Sequence, residues 1–194
     1  SSDNAESTSV FPTPFIVVID TNALFPLTLR DTLLRAAAAG FFQLRWSEEI
    51  LDEMERNLVS KTTMSSEKAK RLRTQMERFF PEAMVTGYEP LVSIMPNDPK
   101  DRHVAAAAVK AGAQVIVTAN LKDFAQLPDG IEAQSPDEFL CNLFDLDQDG
   151  LVHLLREQAD DLRKPPIHFE ELLVRLGRMV PKFVLAVTRA TEER

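Results

Sequence analysis

Residues 15–20, FIVVID, form an unbroken apolar run rich in β-branched side chains that stops at an acid. Successive side chains of a strand point to opposite sides of its sheet, so a run apolar at every position belongs to a strand covered on both faces. Such a strand sits inside a parallel sheet, and parallel neighbours must be joined by crossovers that are usually helical. The sequence that follows supplies them. Leucines at 27, 29, 33 and 34 lead into four alanines, and Gly40 stands where a helix C-terminus favours a residue tolerant of positive φ. FFQLRW (41–46) reads as the second strand. Ser47 then caps a helix whose apolar stripe is Ile50, Leu51, Met54 and Leu58, with Glu48 and Glu49 in its first turn.

Residues 66–80 form a charged helix, followed by weakly patterned sequence to Met95. NDPKDRHVAAAAVKAG reads as a helix capped by Asp98, opened by Pro99 and closed at Gly112, and AQVIVT (113–118) as another buried strand. Strands alternating with helices predict an α/β fold, a three-layer sandwich with a central parallel sheet over residues 15–135. Beyond Pro136 the strand signal fades. SPDEFLCNLF, DGLVHLLREQADDLR and HFEELLVRLGRM read as helices, PKFVLAVTRATEER as a fourth, and Pro165 and Pro166 separate two of them. Residues 136–194 are therefore expected to be a C-terminal helical extension, and residues 1–14, small and polar, a flexible lead-in.

In an open parallel sheet the functional crevice lies beyond the carboxyl ends of the strands. Asp20 ends the first strand, Asp123 lies in the TANLKDF loop after Thr118, Asp98 and Asp101 open the helix that feeds that strand, and Glu53 lies one turn into the helix after strand two. Carboxylates that converge raise one another's pKa or recruit a cation. Oxygen ligands without histidine or cysteine favour Mg²⁺ or Mn²⁺ over zinc, and those ions suit phosphate-ester chemistry. Asp20 is the strongest candidate, because an acid after a central apolar strand is costly without a partner. Asp98 and Asp101 also satisfy a capping arrangement, and spacing alone does not choose between the two readings. Nor does periodicity choose Glu53, which stands on a helix crowded with Glu48, Glu49, Asp52 and Glu55.

FIVVIDTNAL, SEEILDEMERNL, NDPKDRHVAAAAVKAGAQVIVTANLKDF and SPDEFL, in that order and spacing, resemble a PIN-domain ribonuclease, the fold of VapC-type toxins. The resemblance runs from about residue 15 to about residue 140. It implies a Mg²⁺- or Mn²⁺-dependent endoribonuclease whose acids are Asp20, Glu53, Asp101 and Asp123, with Asp20, Asp101 and Asp123 holding metal. Thr21 and Asn22 match the residues that help hold metal-bound water, with Thr118 and Asn120 supporting. Many PIN domains carry an aspartate where this chain has Asn120; the fourth acid is therefore placed at Asp123, and Asn120 is kept as a neutral oxygen donor. The resemblance also implies an RNA substrate, a cognate antitoxin encoded alongside, and homodimerisation.

Composition bounds the alternatives. Thirty acidic against 22 basic residues give a net charge of −8, which excludes a nucleic-acid binder that works by bulk positive charge. Local basic surface remains, on Lys68, Lys70, Arg71, Arg73 and Arg78 of the charged helix and on Lys100 and Arg102 beside Asp101. These are the candidates for phosphate contact. The lone Cys141 rules out an internal disulfide and a cysteine-rich zinc site, no apolar run approaches the roughly 20 residues of a membrane helix, and residues 1–14 lack a signal-peptide core. A soluble protein of the cytoplasm is expected. His103, His153 and His168 share no metal-ligand spacing and read as incidental. Trp46 and Tyr88 are too few to stack bases.

Three rival readings are weaker. DLDQDG (145–150) copies the first half of a calcium loop, but its closing position is Arg156 rather than a bidentate Glu, so a helix-capping turn is expected instead. A haloacid dehalogenase-type phosphatase needs a second Asp where Asn22 stands. A PIN-like fold used only to bind RNA or protein would have lost its acids, and here they are present.

Overall fold

The computed structural model describes residues 15–162 and 167–193. Its centre is a five-stranded, wholly parallel sheet of β1 (Ile16–Ile19), β2 (Gln43–Ser47), β3 (Met84–Val85), β4 (Val115–Val117) and β5 (Glu132–Gln134), in the order β3-β2-β1-β4-β5. Val17, Val18 and Ile19 are all fully buried, which requires cover on both faces of β1. The helices that flank the sheet provide it. They are α1 (Thr21–Leu24), α2 (Leu27–Ala38), α3 (Glu48–Lys61), α4 (Ser66–Phe79) and α5 (Arg102–Ala111), with α6 (Pro136–Leu146) against β5.

Local chemistry explains the element ends. Ser47 Oγ accepts the Ile50 amide at 3.2 Å and caps α3, and Gly112 takes φ +67° at the end of α5, a conformation in which a Cβ is strained. Two short strands have no sequence pattern of their own: β3 falls in the weakly patterned stretch before Met95, and β5 sits between Asp129 and Ser135. Both are outermost in the sheet, where pairing on one side suffices. The helix expected from Pro99 divides in two. Asp98 caps a single 3-10 turn over Pro99–Asp101, accepting the Lys100 amide at 3.1 Å, and α5 proper starts at Arg102. Four consecutive alanines of α5, 105 to 108, are fully buried, because the helix is held between β1, β2 and β4 on one side and a 3-10 segment, Glu89–Ile94, on the other.

The C-terminal helices α7 (Gln148–Asp161), α8 (Phe169–Gly177) and α9 (Pro181–Glu192) pack against α2, α6 and one another. Leu151, Leu154, Leu155, Leu172, Leu173 and Leu176 are all buried. The join to α2 is polar: Gln158, fully buried, accepts from Thr32 Oγ1 at 2.8 Å and donates to the Thr28 carbonyl at 3.3 Å. Asp137 of α6 accepts the amides of Lys182 and Phe183 and so caps α9, while Phe144 and Phe183 meet edge to face. Asp147 caps α7 through the Gly150 amide at 2.8 Å, the capping role expected of DLDQDG. The lead-in of residues 1–14 and the break at Pro165 and Pro166 lie outside the described residues.

Candidate active site

The strand order reverses at β1: β2 and β3 follow on one side, β4 and β5 on the other. The carboxyl ends of β1 and β4 therefore flank the crevice where ligands bind in open parallel sheets. Asp20 and Thr118 are the residues that leave those two strands, and the Asp20 amide still bonds the Val117 carbonyl at 2.9 Å. Asp20 is 4% exposed. Its Oδ1 accepts the Thr21 amide at 2.8 Å and its Oδ2 accepts Thr118 Oγ1 at 2.9 Å. Burial raises its carboxyl above the ordinary value, the two hydrogen bonds oppose that, and the Glu53 charge adds to the rise.

Around this acid the neighbouring residues form a small lattice. Asn22 donates to Thr118 Oγ1 at 3.3 Å and accepts the Ala119 amide at 2.9 Å, which locks the turn after β1 to the turn after β4. Thr21 Oγ1 donates to the Ile50 carbonyl at 2.9 Å and lies 3.5 Å from Glu53 Oε2, so the first turn of α1 sets where α3 presents its acid. Asn120 bonds Thr118 Oγ1 through its backbone amide at 3.1 Å and Asp123 through its side-chain nitrogen. That side-chain nitrogen faces Asp123 as a hydrogen-bond donor.

Asp101 reaches the same place from the start of α5. Its carboxyl is pushed up to about 7, first by burial, then by the charge of Asp20, with Asp123 contributing and Lys100 opposing. Asp123, 8% exposed, is held below the ordinary carboxylate range by the Lys100 ammonium, whose Nζ lies 3.0 Å from Oδ2. The Asp123 carbonyl accepts the Asp98 amide at 3.1 Å, tying the two segments together.

Asp20, Asp101 and Asp123 thus interact, with Glu53 adjoining through Thr21. Yet among the described residues no three His, Cys, Asp or Glu side chains are disposed to hold one ion together as they stand. In this arrangement the carboxylates are held by protein partners. Both oxygens of Asp20 are engaged by Thr21 and Thr118, and Asp123 is turned to Lys100 and Asn120. The donor set itself, the carboxylate oxygens of Asp20, Asp101 and Asp123, fits a hard divalent cation.

The expected phosphate contacts separate. Lys68, Lys70, Arg71 and Arg78 are exposed on α4. Arg73 is not free: its guanidinium bonds Asp52, Glu55 at 3.2 Å and Glu77 at 2.9 Å, which pins α4 to α3. Lys100 lies in the site, and Arg102 donates to the Asn97 carbonyl at 3.1 Å. Two neighbours were given no role in the site by the sequence, His103 being read as incidental and Glu49 as a first-turn acid of α3. His103 Nδ1 is buried without a hydrogen-bond partner 3.8 Å from Glu49 Oε2, and Glu49 accepts from the Tyr88 hydroxyl at 2.7 Å. The available signals were the positions of His103, two residues after Asp101, and of Glu49, one turn before Glu53.

Among the described residues no helix is long and apolar enough to cross a membrane. Comparison with known proteins agrees with this architecture. Residues 16–122 match the family profile described as PIN domain, and residues 136–189 match the profile described as VapC50 C-terminal domain. Over 110 residues the chain is 41% identical to a Mycobacterium tuberculosis protein named Putative ribonuclease VapC50; the match covers 55% of this chain and 65% of that protein, just under two thirds of its length. No solved structure matches. With its parallel sheet, its acids at the reversal of strand order and more than half its length matched by that profile, the chain belongs to the PIN-domain family.

Proposed function

We propose that this protein is a metal-dependent endoribonuclease that hydrolyses RNA phosphodiester bonds, and that it is the toxin of a toxin–antitoxin pair. The observation that carries the reading is the meeting of Asp20, Asp101 and Asp123 at the β1/β4 edge, with Asp101 driven to about 7 by burial and its acidic neighbours. The likeness to a protein named for ribonuclease activity supports the substrate class. Asp20, Asp101 and Asp123 would hold Mg²⁺ or Mn²⁺. When bound, such an ion supplies a nucleophilic water at neutral pH and offsets charge on the phosphate. Thr118 and Thr21 hold the Asp20 carboxylate in place. Glu53, placed by Thr21, orients water on the α3 side. Lys100 at the mouth, with Lys68, Lys70 and Arg71 on the exposed face of α4, meets the phosphates of the strand.

In this reading residues 15–135 are the nuclease unit and 136–194 an extension packed on it. The partners are RNA, a cognate antitoxin and a second copy of the chain, and the compartment is the cytoplasm. Asp20→Asn should abolish Mn²⁺-dependent cleavage of single-stranded RNA while leaving the metal-free protein folded, because losing a buried like charge offsets weaker hydrogen bonding. Wild-type cleavage by that variant would refute the assignment. The engagement of Asp20 by Thr21 and Thr118, and of Asp123 by Lys100, favours one competing reading, a PIN-like module that binds RNA without cutting it. Wild-type protein that retains RNA but leaves it intact in Mn²⁺ would establish that reading.

A further inference from the structure

Lys100 occupies an unusual position. Its backbone is fixed, since the Lys100 amide is bonded to Asp98 Oδ1 at 3.1 Å inside the 3-10 turn. Its side chain is 66% exposed, yet the ammonium is seated on Asp123 Oδ2 at 3.0 Å, within reach of the Asp101 charge. Nearby cations do not share the seat. Arg102 is turned to the Asn97 carbonyl, and Lys122, exposed in the same loop as Asp123, influences that carboxylate only through its charge.

Resting on the metal-dependent reading above, we propose that Lys100 is a built-in counter-ion that competes with the divalent cation for Asp123 and thereby sets the metal affinity of the site. That ammonium and an entering ion compete for the Asp123 carboxylate, so metal entry displaces Lys100. Because the backbone of Lys100 is held by Asp98, the released ammonium stays at the mouth of the crevice, where it meets an incoming phosphate. One residue thus has opposite effects on the two ligands: it weakens metal binding and strengthens substrate binding.

The test is a calorimetric titration of RNA-free protein with Mn²⁺, for wild type, Lys100→Met, Lys100→Arg and Lys122→Met. Removing an exposed ion pair of this kind should tighten Mn²⁺ binding about two- to fivefold in Lys100→Met. Lys100→Arg should stay close to wild type, and Lys122→Met should change the affinity less than Lys100→Met does. In cleavage assays Lys100→Met should need less Mn²⁺ for half-saturation while its KM for RNA rises; a merely structural role would not split the two. Thermal melting of each variant checks the fold. Equal Mn²⁺ affinity in wild type and Lys100→Met, or an equal gain in Lys122→Met, would overturn the counter-ion role and leave the nuclease reading standing. No Mn²⁺ binding by any of the four would overturn both.

Discussion

The joint between α2 and α7 allows a quantitative test of whether the sheet and the helical extension fold as one unit. Gln158 is fully buried and bonds Thr32 and the Thr28 carbonyl across that joint. Gln158→Ala removes both contacts and leaves a void. Net hydrogen-bond contributions of about 1 kcal/mol each, with a cavity added, give a loss of about 2 to 3 kcal/mol. In a chain of this size that lowers the melting point by about 4–12 °C. Thr32→Val leaves the buried Gln158 oxygen unpaired and should cost about 1–3 kcal/mol. The pair Thr32→Val with Gln158→Leu replaces both polar groups and should recover on the order of 1 kcal/mol relative to the sum of the single changes. Urea unfolding should be followed both by helical circular dichroism and by the fluorescence of Trp46, the single tryptophan, which lies buried in β2. If Gln158→Ala shifts the dichroism transition and leaves the Trp46 transition where it was, the extension unfolds by itself and the cooperative argument is wrong.

Acid–base behaviour gives a second expectation. The folded chain keeps a proton on Asp101 between the ordinary carboxylate value, 3.8, and about 7, where the unfolded chain has lost it. Metal-free stability should therefore decline as the pH rises through that window, and melts at pH 5 and pH 7.5 should show the decline shrink in Asp101→Asn, where the raised Asp20 carboxyl still contributes, and shrink with Mg²⁺. Arg73→Ala should lower the melting point, because Asp52, Glu55 and Glu77 lose their shared cation, whereas Lys70→Ala and Arg71→Ala should weaken RNA binding with little change in stability. The reverse pattern would place the phosphate contact on Arg73. Asp147→Ala should cost about 1 kcal/mol as a lost helix cap, and millimolar Ca²⁺ should raise the melting point no more in wild type than in the variant. Truncation after Phe144 should give an aggregating chain by light scattering, since it uncovers α2 and strips α6 of the α9 that packs on it; a soluble, fully active monomer would contradict that.

What the sequence disclosed follows from how strongly each element had to declare itself. β1, β2 and β4 are interior strands, and FIVVID and AQVIVT carry that burial in nearly every letter. β3 and β5 are two and three residues long at the sheet's margins, and their pairing depends on backbone placement rather than on a periodic pattern. Among the acids, Asp20 was legible because a carboxylate after a buried strand is costly. Glu53 was not, since its helix holds several acids and only Thr21, brought over by the fold, distinguishes it. The cations of α4 illustrate the same limit: nothing in SEKAKRLRTQMERFF tells that Arg73 turns inward to acids of α3 while Lys70 and Arg71 face solvent.

The buried alanines of α5 act as a spacer. A helix axis approaches its sheet as closely as its side chains permit, and at residues 105 to 108 there is only a methyl group in any direction. Asp101 stands at the leading end of that helix and Asp20 at the tip of the strand it rests on. The gap between the two carboxylates is thus set from behind by the smallest side chain able to fill the contact. A single added isopropyl group along this stretch would act as a wedge and tilt or lift the helix as a lever. It would change the spacing of two carboxylates it never touches.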